Sequence, residues 1–364
     1  MFPIIPAGTA AASGNSGIMG FGWSPTSSYT GVTNIVSNAG VIADDVAAVG
    51  TARGYPAGCE YGTDTGLFWG GYKSSDPQPG ALVATLNLVS NLGVVASDAA
   101  ATTGTGRNGC GGCDYGGDKG IVGFGWAGVP IGNVGTTNLI SNAGVVASDV
   151  SAVGNVRTSV KATEFGGDKG IFIGGYDGGA YDPETNIVSN VGVVASDVAG
   201  VGTLRYGAPG CRYGTDTAIY AFGYANVPVN LKQVAISNLI SNTGVVADDQ
   251  AAVTGTPRSN LGACEYGDDK GIFAYGASAD PTTYLSVSNK VSNTGVVATD
   301  VTGVGTGRYQ AAGCEYGGDK GIFGFGYTGS DTGVTNLVSN TGVVASDTAA
   351  VGTARRSLAA CSFN

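Results

Sequence analysis

One phrase occurs seven times in this chain. Ser-Asn-x-Gly-Val places its asparagine at Asn38, Asn91, Asn142, Asn190, Asn242, Asn293 and Asn340, at intervals of 53, 51, 48, 52, 51 and 47 residues. Self-similarity at a period near fifty restricts the chain to architectures that use one supersecondary unit repeatedly. Each unit carries an aspartate seven residues after its marker: Asp45, Asp98, Asp149, Asp197, Asp249, Asp300 and Asp347. An arginine follows eight or nine residues later, at Arg53, Arg107, Arg157, Arg205, Arg258, Arg308 and Arg355. Eight residues beyond each arginine stands an aromatic, from Tyr61 in the first unit to Phe363 in the last.

Each unit reads as four short strands. Strand A follows the arginine and ends at the aromatic ("YQAAGCEY"). A Gly-Asp turn leads to strand B ("GIFGFGY"), a loop to strand C ("TNLVS"), and an Asn-x-Gly turn to strand D ("VVASD"). Both tight turns offer Gly and Asn where positive φ is needed. The 65 glycines in 364 residues suit many tight turns and close strands, and are costly in helix interiors. Seven such units predict an all-β fold: a seven-bladed β-propeller of four-stranded antiparallel blades. The first unit begins at strand B (17–23) and the chain ends on strand A (357–363), so the C-terminal strand is expected to join the N-terminal blade and close the ring. Residues 13–364 form the propeller in this reading. Residues 1–12 lie outside the repeats, as an extension available for docking.

Arginine before strand A, glycines ending strand B (Gly70-Gly71-Tyr72, Gly174-Gly175-Tyr176) and a period near fifty resemble the kelch-type β-propeller. Strand D departs from it, with "VVASD" where kelch repeats carry a tryptophan. The wording "TNLVSNTGVVASDTAAVGTAR…GGDKGIFGFG" is similar to repeats in structural, tail-fibre-like proteins of marine bacteriophages. That resemblance implies a virion surface protein assembled in the host cytoplasm, with other virion proteins as neighbours and a host-surface glycan or receptor as target.

Composition excludes several chemistries. The net charge of −10 disfavours nucleic acid. No apolar run approaches the ~20 residues that span a bilayer, and "MFPIIPAGTAAASG" lacks the form of a secretory signal. Histidine is absent, which removes the commonest general base and metal ligand. No catalytic residue, metal or cofactor is expected. Six of the seven cysteines share one position in strand A (Cys59, Cys113, Cys211, Cys264, Cys314, Cys361, with Thr163 in the remaining unit), which reads as buried thiols. "CGGC" at 110–113 leaves open a local disulfide or a metal half-site.

The recurring Arg and Asp residues read as structural, the arginine donating to carbonyls or a neighbouring aspartate. Length variation is confined almost wholly to the B–C segment, so one face carries loops that differ from blade to blade. Variable loops on a rigid scaffold are where recognition resides. Tyr29, Tyr181 and Tyr284 are the candidate exposed aromatics, and Asn133, Asp182, Asn230 and Asp280 the candidate polar partners, a set suited to sugars. A non-enzymatic recognition propeller follows. An intracellular kelch-like interaction scaffold and a polysaccharide-degrading enzyme are the alternatives.

Overall fold

The computed structural model describes residues 15–26, 28–47, 49–73, 81–100, 104–151, 153–227, 230–250, 255–278 and 283–363. Every regular element among them is a β-strand. In the second repeat, Ala57–Tyr61, Thr65–Trp69, Thr85–Val89 and Ala99–Ala100 pair in that order as one antiparallel sheet. The other repeats give three-stranded A–B–C sheets, such as Gly262–Tyr266, Lys270–Ala274 and Ser288–Val291. Ala359–Phe363 pairs with Ser16–Gly20, which pairs in turn with Thr33–Val36. The A strands lie side by side in series: Ala57–Tyr61, Gly111–Tyr115, Lys161–Phe165, Gly210–Tyr213, Gly262–Tyr266, Ala312–Tyr316 and Ala359–Phe363. The last of these lies beside the first. The architecture is all-β and propeller-like.

Strand D is where the structure departs from expectation. Outside the second repeat it is held to strand C by isolated bridges, as Val36↔Ile42 and Thr33↔Val46, rather than by a continuous ladder. The register slips by one residue between those bridges, so Asp44 and Asp45 together face Asn34. This is a β-bulge, which interrupts pairing and re-aims a side chain. Asn34 Nδ2 bonds both the Ala43 carbonyl (3.1 Å) and Asp45 Oδ1 (3.1 Å) across the gap.

The bulged aspartate belongs to a staple that recurs in every repeat. In the second, Arg53 donates to Asn87 Oδ1 at 2.5 Å, and Asn87 Nδ2 donates to Asp98 Oδ1 at 3.0 Å. The other oxygen of Asp98 accepts from the Thr51 amide (2.8 Å) and hydroxyl (2.6 Å), while Arg53 also donates to the Thr51 carbonyl (3.0 Å). Arg–Asp separations of 3.6–4.0 Å recur in all seven repeats. The arginines are almost wholly buried and the strand C asparagines completely so. Burial pulls the Arg258 pKa down to about 10, opposed by the Asp300 charge, so the cation persists at neutral pH. Burial would raise the Asp98 carboxyl, but the Thr51 and Asn87 hydrogen bonds and the Arg53 charge together hold it below its ordinary value. The seventh staple joins the two ends of the chain: Arg355 donates to Asn34 Oδ1 (2.7 Å) and Phe21 O (2.9 Å).

Each guanidinium also lies over an aromatic ring. Arg53 covers Phe21 of the preceding repeat at 3.8 Å, and Arg157, Arg258, Arg308 and Arg355 cover Phe124, Phe222, Tyr275 and Phe325 in the same way. These five aromatics have φ between 61° and 66°, a conformation uncommon for bulky side chains. Strand B bulges there, and the bulge turns the ring under the next repeat's arginine. Where glycine takes that position, at Gly70 and Gly174, Arg107 stacks on Trp69 and Arg205 on Tyr220.

The strand A thiols set the packing between repeats. Every cysteine is free, Cys110 and Cys113 included. Each repeated thiol faces the first glycine of strand B in the next repeat. A Cβ added at Gly271 would lie 2.5 Å from Cys211 Sγ, at Gly170 2.6 Å from Cys113 Sγ, and at Gly66 2.6 Å from Cys361 Sγ. The one repeat with Thr163 in place of cysteine is followed by Ala218 in place of glycine. Gly271→Ala is therefore expected to destabilise the protein by about 1–3 kcal/mol through overpacking. Adding Cys211→Ala should recover part of that loss, because contacting sites couple. Denaturant midpoints of the two single variants and the double variant check this, and strict additivity would refute the contact.

Candidate functional site

The variable-loop candidates are half-buried in tyrosine clusters rather than free-standing. Tyr29 meets Tyr72 edge-on at 5.8 Å. Tyr181 packs against Tyr176, Tyr206 and Tyr224 at 4.9–6.4 Å. Tyr284 stacks on Tyr309 at 5.4 Å and meets Tyr327 at 5.7 Å. Asn133 donates to the Tyr176 carbonyl at 3.0 Å, linking two repeats. Asp182 is buried; one oxygen accepts from the Glu184 amide at 2.8 Å and the other has no hydrogen-bond partner among the described residues. Asn230 lies in the strand Asn230–Gln233, with its side chain outside the description, and Asp280 lies outside the described residues. The clusters are built from three positions: the end of strand B, the residue after the buried arginine, and the B–C loop.

These clusters surround one mouth of a bore between the A strands. The second residue after each staple arginine forms a collar there: Tyr55, Gly109, Ser159, Gly207, Asn260, Gln310 and Ser357, with φ between 52° and 65° at all seven. Backbone bonds run from repeat to repeat around it. Tyr55 N–H donates to Ser357 O at 2.8 Å, and Gln310 N–H to Asn260 O at 2.8 Å. These bonds offset the cost of the left-handed conformation, of order 1–3 kcal/mol per non-Gly residue. The collar encloses a cavity of about 230 Å³, lined also by Cys110, Lys161 and Tyr206. Cys110 is kept a neutral thiol, since burial pushes its pKa up to about 11.

Lys161 stands where the other repeats have small residues such as Ala57, Gly111 and Ala359. Among the described residues no hydrogen-bond or ion-pair partner is found for it. Enclosure by protein lowers its pKa although its side chain is wetted by the bore. Arg356 at the same mouth is differently placed: it pairs with Asp331 at 3.0 Å and covers Trp23 and Tyr327.

Further along, the bore is lined by glycine and alanine (Gly58, Gly112, Ala162, Ala263, Gly313, Ala360). Beyond them lies a cavity of about 240 Å³ ringed by the residue after each strand A thiol or its Thr163 equivalent: Glu60, Asp114, Glu164, Arg212, Glu265, Glu315 and Ser362. Arg212 donates to Glu265 Oε2 (2.9 Å) and Glu164 Oε2 (2.8 Å). Burial raises the Glu60 carboxyl well above its usual range, and the Asp114, Glu315 and Glu265 charges add to that. Glu164 is pushed up to about 8, first by burial and then by Asp114, with which it shares a hydrogen bond, against the pull of Arg212. Arg212 in turn is held charged, chiefly by Glu265. No group of three or more His, Cys, Asp or Glu among the described residues is arranged to hold a metal ion.

Sequence reasoning passed over both ends of the bore. Strand A alternates, so a buried thiol obliges the next residue to face the axis; that signal was present in "CEY", "CDY" and "CRY". No family model and no curated protein matches the chain. Among solved structures, one described as "Structure of YjhT" superposes with a TM-score of 0.57 at 13% identity, over 81% of this chain and 97% of that one. At that identity the likeness speaks for the fold alone, and it agrees with a propeller-like architecture.

The ring of carboxylates predicts a pH dependence. A folded-state pKa near 8 for Glu164, against about 4.3 unfolded, means the folded state holds its proton longer. The cost of ionising it is absent below pH 4, grows as pH rises, and is complete above about 8. Thermal midpoints should fall between pH 4 and 8 and level off above, and Glu164→Gln should flatten that fall and melt higher than the parent at pH 9. Parallel curves for parent and variant would show that Glu164 ionises normally.

Proposed function

We propose that the chain is a seven-bladed propeller, its ring closed by the pairing of Ala359–Phe363 with Ser16–Gly20, and that it is a non-enzymatic recognition module for saccharides. The observation carrying this reading is the convergence of three tyrosine clusters, on Tyr29, Tyr181 and Tyr284, around one mouth of the bore, on the face that carries the variable loops. Half-buried tyrosines are held in fixed orientations, so their aromatic faces bind at little entropic cost, and their hydroxyls reach polar partners. A sugar offers the complement, an apolar ring face edged with hydroxyls.

The similarity of the repeats to marine phage structural proteins supports a virion as the setting. Other virion proteins would be the neighbours and a host-surface glycan the target. Residues 1–12, the candidate docking extension, lie outside the described residues.

Fluorescently labelled protein is expected to bind host cells and a subset of a glycan array saturably. The Tyr181→Ala/Tyr284→Ala variant, checked for an unchanged fold, should lose at least about tenfold in affinity, since aromatic anchors carry ~2 kcal/mol or more at such sites. Equal binding by the variant would remove the tyrosine clusters from recognition. Absence of binding to either target would leave a building block whose partners are other virion proteins.

A further inference from the structure

Lys161 breaks its repeat position on strand A by both size and charge and, unlike Arg212, has no carboxylate partner among the described residues. Six repeats keep that position compact and uncharged (Ala57, Gly111, Pro209, Gly262, Ala312, Ala359); the fourth places an ammonium in the bore just below the collar. Its side chain is exposed to the bore, so the ammonium is open to an anion from solution. The other cations near the axis are already paired: the seven buried arginines have their staples, Arg212 has Glu164 and Glu265, and Arg356 has Asp331. At Lys161 the described residues supply no such partner.

The groups around it converge on one space. Tyr55, which is 45% exposed despite its left-handed backbone, and Tyr206 offer ring surface. Ser159, Asn260 and Gln310 offer a hydroxyl and two amides, from three different repeats. The carboxylates of the bore lie at its other end, beyond the Gly/Ala stretch. Tyr206 also touches Tyr181 at 4.9 Å, so one wall of the cavity is shared with the largest loop-face cluster.

We infer that this mouth is a subsite for an anionic monosaccharide unit, a sugar ring bearing one carboxylate or sulfate, with the anion on Lys161, the hydroxyls on Asn260, Gln310 and Ser159, and the apolar ring face on Tyr206 or Tyr55. The inference rests on the saccharide-recognition reading above and assigns the ligand class within it. A cavity of about 230 Å³ holds a single sugar unit and little more, which makes this an end-on site for a terminal or side-branch residue. A charge-assisted bond inside a cavity is stronger than a neutral one. The acidic sugar should therefore be selected over its neutral counterpart.

The test titrates the full chain with sodium D-glucuronate, D-glucose 6-sulfate and D-glucose, read by intrinsic fluorescence and saturation-transfer NMR. At least one of the two acidic sugars should bind about tenfold or more tightly than glucose, as one charged hydrogen bond predicts, and the two arms tell carboxylate from sulfate. Lys161→Gln should abolish that preference. No fold partner is lost in that change, but Asn260→Gly is a second variant that removes an amide while relaxing a φ of 52°; it should weaken all three sugars at undiminished stability. Equal binding of acidic and neutral sugars, or an unchanged preference in Lys161→Gln, would overturn the subsite. The two proposals fail separately. Tyrosine-dependent cell binding without binding of either acidic sugar overturns the subsite alone. Lysine-dependent binding of an acidic sugar without cell or array binding supports the subsite and overturns host recognition.

Discussion

A buried arginine without its hydrogen-bond partners would be among the costliest groups this chain could enclose, and the chain encloses seven. The fold is arranged around meeting that cost. Asparagine on strand C bridges the guanidinium to an aspartate that strand D can present only by bulging. In six of the seven the preceding repeat supplies a ring beneath the cation, and Arg205 takes Tyr220 of its own repeat instead. Each staple thus ties strands B, C and D of one repeat to one another and lays the arginine against its neighbour. The irregular outer strand and the left-handed aromatics of strand B are consequences of one interaction.

The same spacing builds the bore. Two residues after the arginine the backbone turns left-handed into the collar, and five or so residues later the A strand presents alternately a thiol to its neighbour and a charged residue to the axis. Glycine at the start of strand B admits the thiol. Small residues midway along strand A leave the axis open. The collar side chains differ among the seven repeats while their backbone does not, so one rigid ring carries a chemically asymmetric mouth. Recognition residues on a scaffold of this kind are held by packing rather than ordered by the ligand, which lowers the entropic cost of binding.

The period, strands A, B and C, and both turns were legible because glycine stands where positive φ demands it, as at Gly40 and Gly62; the marker asparagines were expected to share that role and do not. The partners of the arginines were half legible. Asp98 and its equivalents were seen as a recurring charge, but Asn87 and its equivalents read as ordinary strand C residues, since an amide in a short apolar run does not declare that it is completely buried. Strand D looked like a strand because "VVASD" alternates; the extra residue that bulges it shows only in the register with strand C. Tyr29, Tyr181 and Tyr284 were found as loop aromatics, yet their tyrosine neighbours come from positions tens of residues away, so clustering was invisible. Lys161 was hidden among seventeen basic residues, and only alignment of the repeats shows it standing where its equivalents are small.

The account stands on the equivalence of the seven staples, including the one that ties Arg355 near the C-terminus to Asn34 and Asp45 near the N-terminus. The most direct test is the unfolding free energy of Arg355→Ala beside that of Arg258→Ala, by equilibrium denaturation. Both arginines are completely buried, stacked on a ring and bonded to a buried asparagine. If the ends are joined as the interior repeats are, each substitution should cost about 3–5 kcal/mol. A full loss for Arg258→Ala with little or none for Arg355→Ala would contradict the account, leaving the first and last repeats unjoined.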